Sequence, residues 1–179
     1  MKIRYDIIVL LLLVFCASSA FAQQPADFTL LSATDSSTFV LSDAKGKYVA
    51  LHFLLKTECP YCLRHTHDYM SKAASLPGVI QVFIKPDLEG EIEEWAMKLP
   101  GGQPDGFPVY RDPDARLAEL FDIPDGYFFH GQSVHYPALI LIGTDGKEVF
   151  RYIGKNNGDR FSFEQLTAKI NELTGTKLR

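Results

Sequence analysis

Cys59-Pro60-Tyr61-Cys62 stands where an apolar strand hands over to a helix. Tyr48 to Leu55 reads as a buried strand. After the pair, Cys62, Leu63, Thr66, Tyr69, Met70 and Ala73 recur at helical spacing, and Leu76-Pro77-Gly78 ends the run, so the pattern predicts a helix over about 60–75. Pro60 suits the first helical position, which makes Cys59 the N-cap. Only a thiolate attacks a disulfide or a peroxide, and a helix N-terminus favours the thiolate through its unpaired amides and its dipole. Cys59 is therefore expected to be the exposed, low-pKa nucleophile. Cys62, one turn in, is expected to be the more buried resolving thiol.

Two blander uses of the pair are weaker. A structural zinc site needs four ligands. Once the leader is removed, no further cysteine is left to supply them, and His65 and His67, two apart on a helix, point in different directions. A purely structural disulfide closing so short a loop restrains the unfolded chain little.

The N-terminus carries the marks of a secretory signal. Lys2 and Arg4 form a charged start, Ile7 to Phe15 an apolar stretch too short for an ordinary membrane span, and Ala20-Phe21-Ala22 a small-x-small cleavage site. The expectation is a signal peptide over 1–22 and a mature domain over 23–179, periplasmic or secreted, with no stable membrane anchor after cleavage. Cys16 as a lipidation site and an uncleaved anchor are the alternatives. An exterior compartment permits disulfides. Removing 22 of the 179 residues leaves 157, enough for one domain with its own core. Removing Lys2, Arg4 and Asp6 leaves 16 basic against 21 acidic residues, a net charge of −5, which gives no support for nucleic-acid binding.

The remaining chain alternates strands and helices. Phe28–Leu31 and Thr38–Leu41 suggest a hairpin around Asp35-Ser36-Ser37, followed by a short turn or helix over 41–46. Val79–Ile84 reads as a strand. The acidic run Asp87 to Glu94, continued by Trp95, Ala96, Met97 and Leu99, reads as an amphipathic helix near 88–99. A short strand over Phe107–Tyr110 and a short helix over Ala115–Phe121 come next. Pro137–Ile142 is strongly apolar, and Asp145-Gly146 turns it into a hairpin partner over Glu148–Ile153. Ser162 with Gln165 fits a capping box, and Phe161 with Leu166 a hydrophobic staple, at the start of the last helix. The order implies an α/β sheet covered on both faces.

These residues in this order resemble the thioredoxin-like superfamily. Pro25 to Leu30, Val40-Leu41-Ser42-Asp43, Gly46-Lys47, Phe107-Pro108-Val109, Asp112-Pro113-Asp114 and Leu139 to Lys147 resemble its redoxin branch. That branch holds the alkyl hydroperoxide reductase/thiol-specific antioxidant proteins and the periplasmic thiol-disulfide oxidoreductases. The resemblance implies a central mixed sheet flanked by helices, with an N-terminal hairpin and a strand-helix insertion. It also implies thiol-disulfide exchange with redox partner proteins, or reduction of a peroxide substrate. The chain departs from the branch at several positions. Glu58 replaces the Trp that commonly precedes the first cysteine, and its carboxylate opposes a neighbouring thiolate. Lys56 and His52 stand where typical peroxiredoxins carry Thr and Pro. His65 stands where the cytochrome-maturation relatives carry Glu; it is either a proton shuttle or a solvated histidine on the helix surface.

The resemblance further assigns Pro137 to the site, as the proline that takes a cis bond beside the dithiol and leaves the Tyr136 backbone free to pair with a substrate strand. The loop before it, Tyr127 to Tyr136, is rich in aromatics and is either a recognition surface or a satellite core. A third use of such a fold is a copper chaperone offering Cys59, Cys62 and His135 to Cu(I). No flavin or nucleotide fingerprint is present, so neither a bound organic cofactor nor a resident metal is implied.

Overall fold

The computed structural model describes residues 26–56, 59–101, 107–129 and 132–176. The signal segment and Glu58 lie outside the described residues. β1 (Thr29–Leu31) and β2 (Thr38–Val40) form the expected N-terminal hairpin. The main sheet contains β3 (Tyr48–Phe53), β4 (Val79–Lys85), β5 (Val109–Arg111), β8 (Ala138–Ile142) and β9 (Glu148–Ile153), in the spatial order β5-β4-β3-β8-β9. β3, β4 and β5 run parallel; β8 is antiparallel to β3, and β9 to β8. Among the described residues four α-helices accompany the strands: α1 (Pro60–Lys72), α2 (Glu89–Ala96), α3 (Arg116–Leu120) and α4 (Phe163–Thr174). This mixed five-stranded sheet is a thioredoxin-like α/β fold.

Alternation along β3 explains why a continuous apolar run was needed. Val49, Leu51 and Phe53 pack on one face, with Leu30, Phe39, Leu117 and Phe121. Ala50 packs on the other, with Cys62, Tyr69, Trp95 and Leu166. A strand covered on both sides loses its polar-out positions. β3 also ends earlier than its apolar run: Leu54 and Leu55 leave the strand, though the Leu54 amide still donates to the Ile84 carbonyl at 2.8 Å. That departure lies at the C-terminal end of the central strand, and Cys59 caps the helix that follows.

α4 starts as its sequence predicts. The Ser162 hydroxyl accepts from the Gln165 amide, Gln165 accepts from the Ser162 amide, and Phe161 and Leu166 are both buried. The aromatic segment before Pro137 is a hairpin rather than a loop. β6 (Asp125–Phe129) pairs antiparallel with β7 (Gln132–His135), with Tyr127 opposite Val134. Aromatic residues favour strands and supply the pairing surface.

Candidate active site

Cys59 is the N-cap of α1, with extended backbone (φ −93°, ψ 100°) and Pro60 following at the first helical position. The Cys62 amide donates to the Cys59 sulfur at 3.2 Å, so the sulfur takes one of the helix's unpaired N–H groups. The sequence expectation of an exposed nucleophile needs correction. Cys59 is only 8% accessible, because Tyr61, Tyr127 and the loop at Asn157 close around it. The order of burial holds, since Cys62 is fully enclosed. A cavity of about 200 Å³, floored by Leu55 and Cys59, remains open beside the sulfur.

Arg160 is the main residue that sequence reasoning missed. Its Nη2 donates to the Cys59 sulfur at 3.3 Å, to the Cys62 sulfur at 3.2 Å and to the Asn157 carbonyl at 3.2 Å. Nothing in sequence spacing could have found it, because it lies 101 residues from Cys59 and only tertiary folding brings it there. The loop that carries it is braced at several points. Asp159 accepts from the Tyr152 hydroxyl and from the Lys155 amide. The Tyr69 hydroxyl donates to the Phe161 carbonyl at 2.8 Å, tying α1 to the residue after Arg160. The Gly154 amide donates to the Pro137 carbonyl at 2.8 Å. A side chain at Gly154 would stand 2.4 Å from the Asp159 carbonyl and 2.8 Å from the Pro137 ring, so this approach requires glycine.

The electrostatics divide the two thiols. The hydrogen bond with the Cys62 side chain, then the Arg160 guanidinium, the Cys62 amide and the more distant Lys85 ammonium bring Cys59 down from 9.0 to about 6, although burial opposes them. Burial, and then its hydrogen bond to Cys59, push Cys62 well above 9.0. At neutral pH Cys59 is therefore mostly thiolate and Cys62 a thiol. Both are reduced in this structure.

Lys85 lies beneath the pair, fully buried at the end of β4. Its ammonium donates to the Leu55 carbonyl at 2.5 Å, pairs with Asp87 at 3.1 Å and sits 4.6 Å from the centre of the Trp95 ring. The amide of the same Leu55 donates to the Cys62 sulfur at 3.3 Å. The Leu55 residue thus joins a buried ion pair to Cys62. A charged residue closing an apolar strand is the sequence signal that points to Lys85.

His65 is not a solvated surface histidine. It is half-buried, and its Nε2 lies 3.0 Å from Nδ1 of His52, a residue buried in β3. His52 Nε2 in turn donates to the Gln81 side-chain oxygen at 2.8 Å. Burial holds His52 down to about 4 and His65 well below its usual value, so both are neutral at pH 7. His67 is exposed, as the helical spacing predicted.

Pro137 requires a second correction, because its bond to Tyr136 is trans. The Tyr136 backbone is not free to dock a strand either. Its amide donates to the Pro124 carbonyl at 2.9 Å, and its carbonyl accepts from His135 Nδ1 at 2.7 Å. With both groups satisfied internally, no cis turn is needed to present them. Pro137 instead supports the loop that holds Arg160. The copper set is not brought together: among the described residues no three His, Cys, Asp or Glu side chains converge to hold a metal ion.

Comparison with known proteins agrees with this architecture. The profile of the AhpC/TSA family matches residues 22–149. No curated protein matches the chain. The bacterioferritin comigratory protein of Xanthomonas campestris superposes with a TM-score of 0.64 at 15% identity, over 84% of this chain and 92% of that one. The exposed lipoprotein thioredoxin Etrx1 of Streptococcus pneumoniae gives 0.60 at 23% identity, over 82% and 99%. A Chlorobium tepidum protein assigned as the thiol:disulfide interchange protein DsbE gives 0.61 at 19% identity, over 87% and 97%. These likenesses establish the shared fold, and the profile match over most of the length places this chain in the AhpC/TSA family of redoxins, whose chemistry is thiol-based oxidoreduction or peroxide reduction.

Proposed function

We propose that the protein is an extracytoplasmic thiol-disulfide oxidoreductase working through a Cys59/Cys62 dithiol–disulfide couple. One observation carries the reading: a thiolate-stabilised Cys59 at a helix N-terminus has a protonated, buried thiol within hydrogen-bond reach. The Cys59 thiolate attacks one sulfur of a substrate disulfide. A mixed disulfide forms and one substrate thiolate leaves. Cys62 then loses its proton and attacks the Cys59 sulfur, expelling the second substrate thiolate. Two electrons pass to the substrate, and the Cys59–Cys62 disulfide remains. Run backwards, the same steps oxidise a substrate dithiol, and reduction potential sets the direction. The signal-like residues 1–22 support an exterior location, where such a couple has substrates.

Arg160 and the family membership favour a second reading, a thiol peroxidase. A guanidinium 3.3 Å from the attacking sulfur could also polarise a peroxide oxygen as the O–O bond breaks. Cys62 would then resolve the sulfenic acid at Cys59. A single-turnover comparison separates the two. Reduced protein is mixed with a protein disulfide in one experiment and with a hydroperoxide in another, and dithiol loss is followed. Disulfide exchange predicts faster loss with the protein disulfide; faster loss with the hydroperoxide establishes the peroxidase.

A further inference from the structure

Resolution asks more of the fold than attack does. Once Cys59 has bonded to a substrate sulfur, Cys62 must become a thiolate while fully enclosed, and burial holds its thiol well above 9.0. An enclosed anion needs N–H donors or positive charge close by. Two cations act on Cys62. Arg160 divides one nitrogen among both sulfurs and the Asn157 carbonyl, beside the pocket at Cys59. Lys85 is fully buried at the end of β4 and takes no part in lining that pocket.

Lys85 reaches the sulfur through Leu55. That residue lies beyond Phe53, the last paired residue of β3, so no ladder fixes its orientation. Instead the ammonium donates to the Leu55 carbonyl at 2.5 Å, and the Leu55 amide donates to the Cys62 sulfur at 3.3 Å. The same carbonyl stands 3.9 Å from that sulfur. This is too long for a firm bond to the thiol, yet near enough for the oxygen's negative charge to oppose a thiolate. The ammonium offsets that charge, so these contacts favour the thiolate over the thiol. Stability alone does not call for the arrangement, because an apolar pair of similar volume would serve as well as the buried Lys85–Asp87 pair. The titratable and charged groups around Cys62 are Cys59 and His65 on α1, Lys85, Arg160 and the Tyr127 hydroxyl on β6. Burial holds His65 well below its usual value and pushes Tyr127 up to about 12, so neither titrates in the mildly alkaline range.

We infer that Lys85 is a positioning residue for the resolving step: by holding the Leu55 carbonyl it aims the Leu55 amide, and directs its own charge, at the Cys62 sulfur as the thiolate forms. The inference rests on the disulfide-exchange reading for the step it serves. In that step Cys62 gives its proton to solvent and its sulfur bonds to the Cys59 sulfur. The bond from Cys59 to the substrate breaks, and its electron pair leaves on the substrate sulfur, which takes a proton from solvent. Lys85 keeps its own protons throughout.

The test mixes the full reduced protein with dithiobis(nitrobenzoate), an aromatic disulfide whose thiolates absorb on release. Attack by Cys59 releases the first thiolate in a phase that quickens with reagent concentration. Resolution by Cys62 releases the second in a phase that does not. Two variants are compared with the native protein. Lys85→Met/Asp87→Leu removes both halves of the ion pair, and Lys85→Gln keeps a donor for the Leu55 carbonyl but no charge. A rise of about one unit at Cys62 lowers its thiolate fraction tenfold, and the more basic sulfur regains part of the rate as nucleophilicity. The second phase should therefore slow by roughly threefold to tenfold at pH 7 in the double variant and by less in Lys85→Gln, with the difference shrinking as pH rises. The first phase should stay within about twofold, because Cys59 is already mostly thiolate. A second phase that neither variant slows overturns the inference. So does equal slowing of both phases at every pH, which is what a damaged fold would give. The second measurement is the alkaline absorbance titration of Cys62 in the Cys59→Ser background. Adding Lys85→Gln should move the midpoint up, and an unmoved midpoint overturns the inference. If the native protein releases only one thiolate, the exchange reading falls, and the titration still decides the role of Lys85.

Discussion

The proposed division of labour between two cysteines three positions apart comes from where their surroundings put positive charge and protons. Cys59 receives an amide, a thiol hydrogen bond and a guanidinium; Cys62 receives burial. Arg160 is the contribution easiest to remove. A charge-assisted hydrogen bond contributes about 1.5–3 kcal/mol when enclosed, and solvent access at Arg160 puts this one at the lower end. Arg160→Ala should therefore raise the Cys59 pKa by about one unit, and Arg160→Lys should recover part of the shift. Thiolate absorbance against pH in the Cys62→Ser background reads it directly. A midpoint that neither Arg160 substitution moves would show that the guanidinium does not hold the thiolate. The dithiol was legible in the sequence because its chemistry is local, a pair of cysteines with a proline between a strand and a helix. Arg160 was not, because its role exists only after the chain folds back.

At the scale of elements, the site is assembled by contacts between the β8 entrance, the loop after β9 and α1. Gly154 is the closest of these contacts. Gly154→Ala should push the loop off the Asp159 carbonyl and the Pro137 ring, lowering stability by about 1–3 kcal/mol, typical of overpacking. It should also raise the Cys59 pKa by displacing Arg160. Denaturant unfolding with the same absorbance titration tests both effects; a destabilised protein with an unmoved thiol would separate loop and site. The β3–α1 contact holds a further element-scale device. His52 is neutral in the native state down to about 4, against 6.5 when unfolded. A depressed folded value contributes stability above the unfolded value and loses it as pH falls towards the folded one. Stability should therefore decline from about pH 6.5 to 4 as the unfolded chain takes up protons. His52→Gln should flatten that window in urea titrations at several pH values. An unaltered slope would assign the loss to other groups, such as His135.

For the whole molecule, the layer order was readable because a strand buried on both faces, an amphipathic helix and a capped helix each leave a periodic trace. Pairing across the β6–β7 hairpin leaves a weaker trace, and the segment looked like an aromatic loop. The family resemblance misled at Pro137, where the chain satisfies the Tyr136 backbone internally and keeps a trans bond. One global dependence follows from Lys85 and Asp87, an ion pair enclosed between the sheet and α2. Lys85→Met removes the buried ammonium that faces the Asp87 carboxylate and should cost about 3–5 kcal/mol, whereas Lys85→Met with Asp87→Leu should recover much of it. Thermal unfolding of both variants checks this, and equal losses would contradict it. The central claim, attack by Cys59 and resolution by Cys62, is tested most directly by trapping. Cys62→Ser and Cys59→Ser are each reduced, mixed with a protein disulfide from pH 5 to 9 and quenched, and mixed disulfides are counted by mass spectrometry. The account predicts a stable adduct at Cys59 in Cys62→Ser, forming at a rate that rises through pH about 6, and almost none in Cys59→Ser. Adducts accumulating at Cys62 in Cys59→Ser, with none in Cys62→Ser, would contradict it.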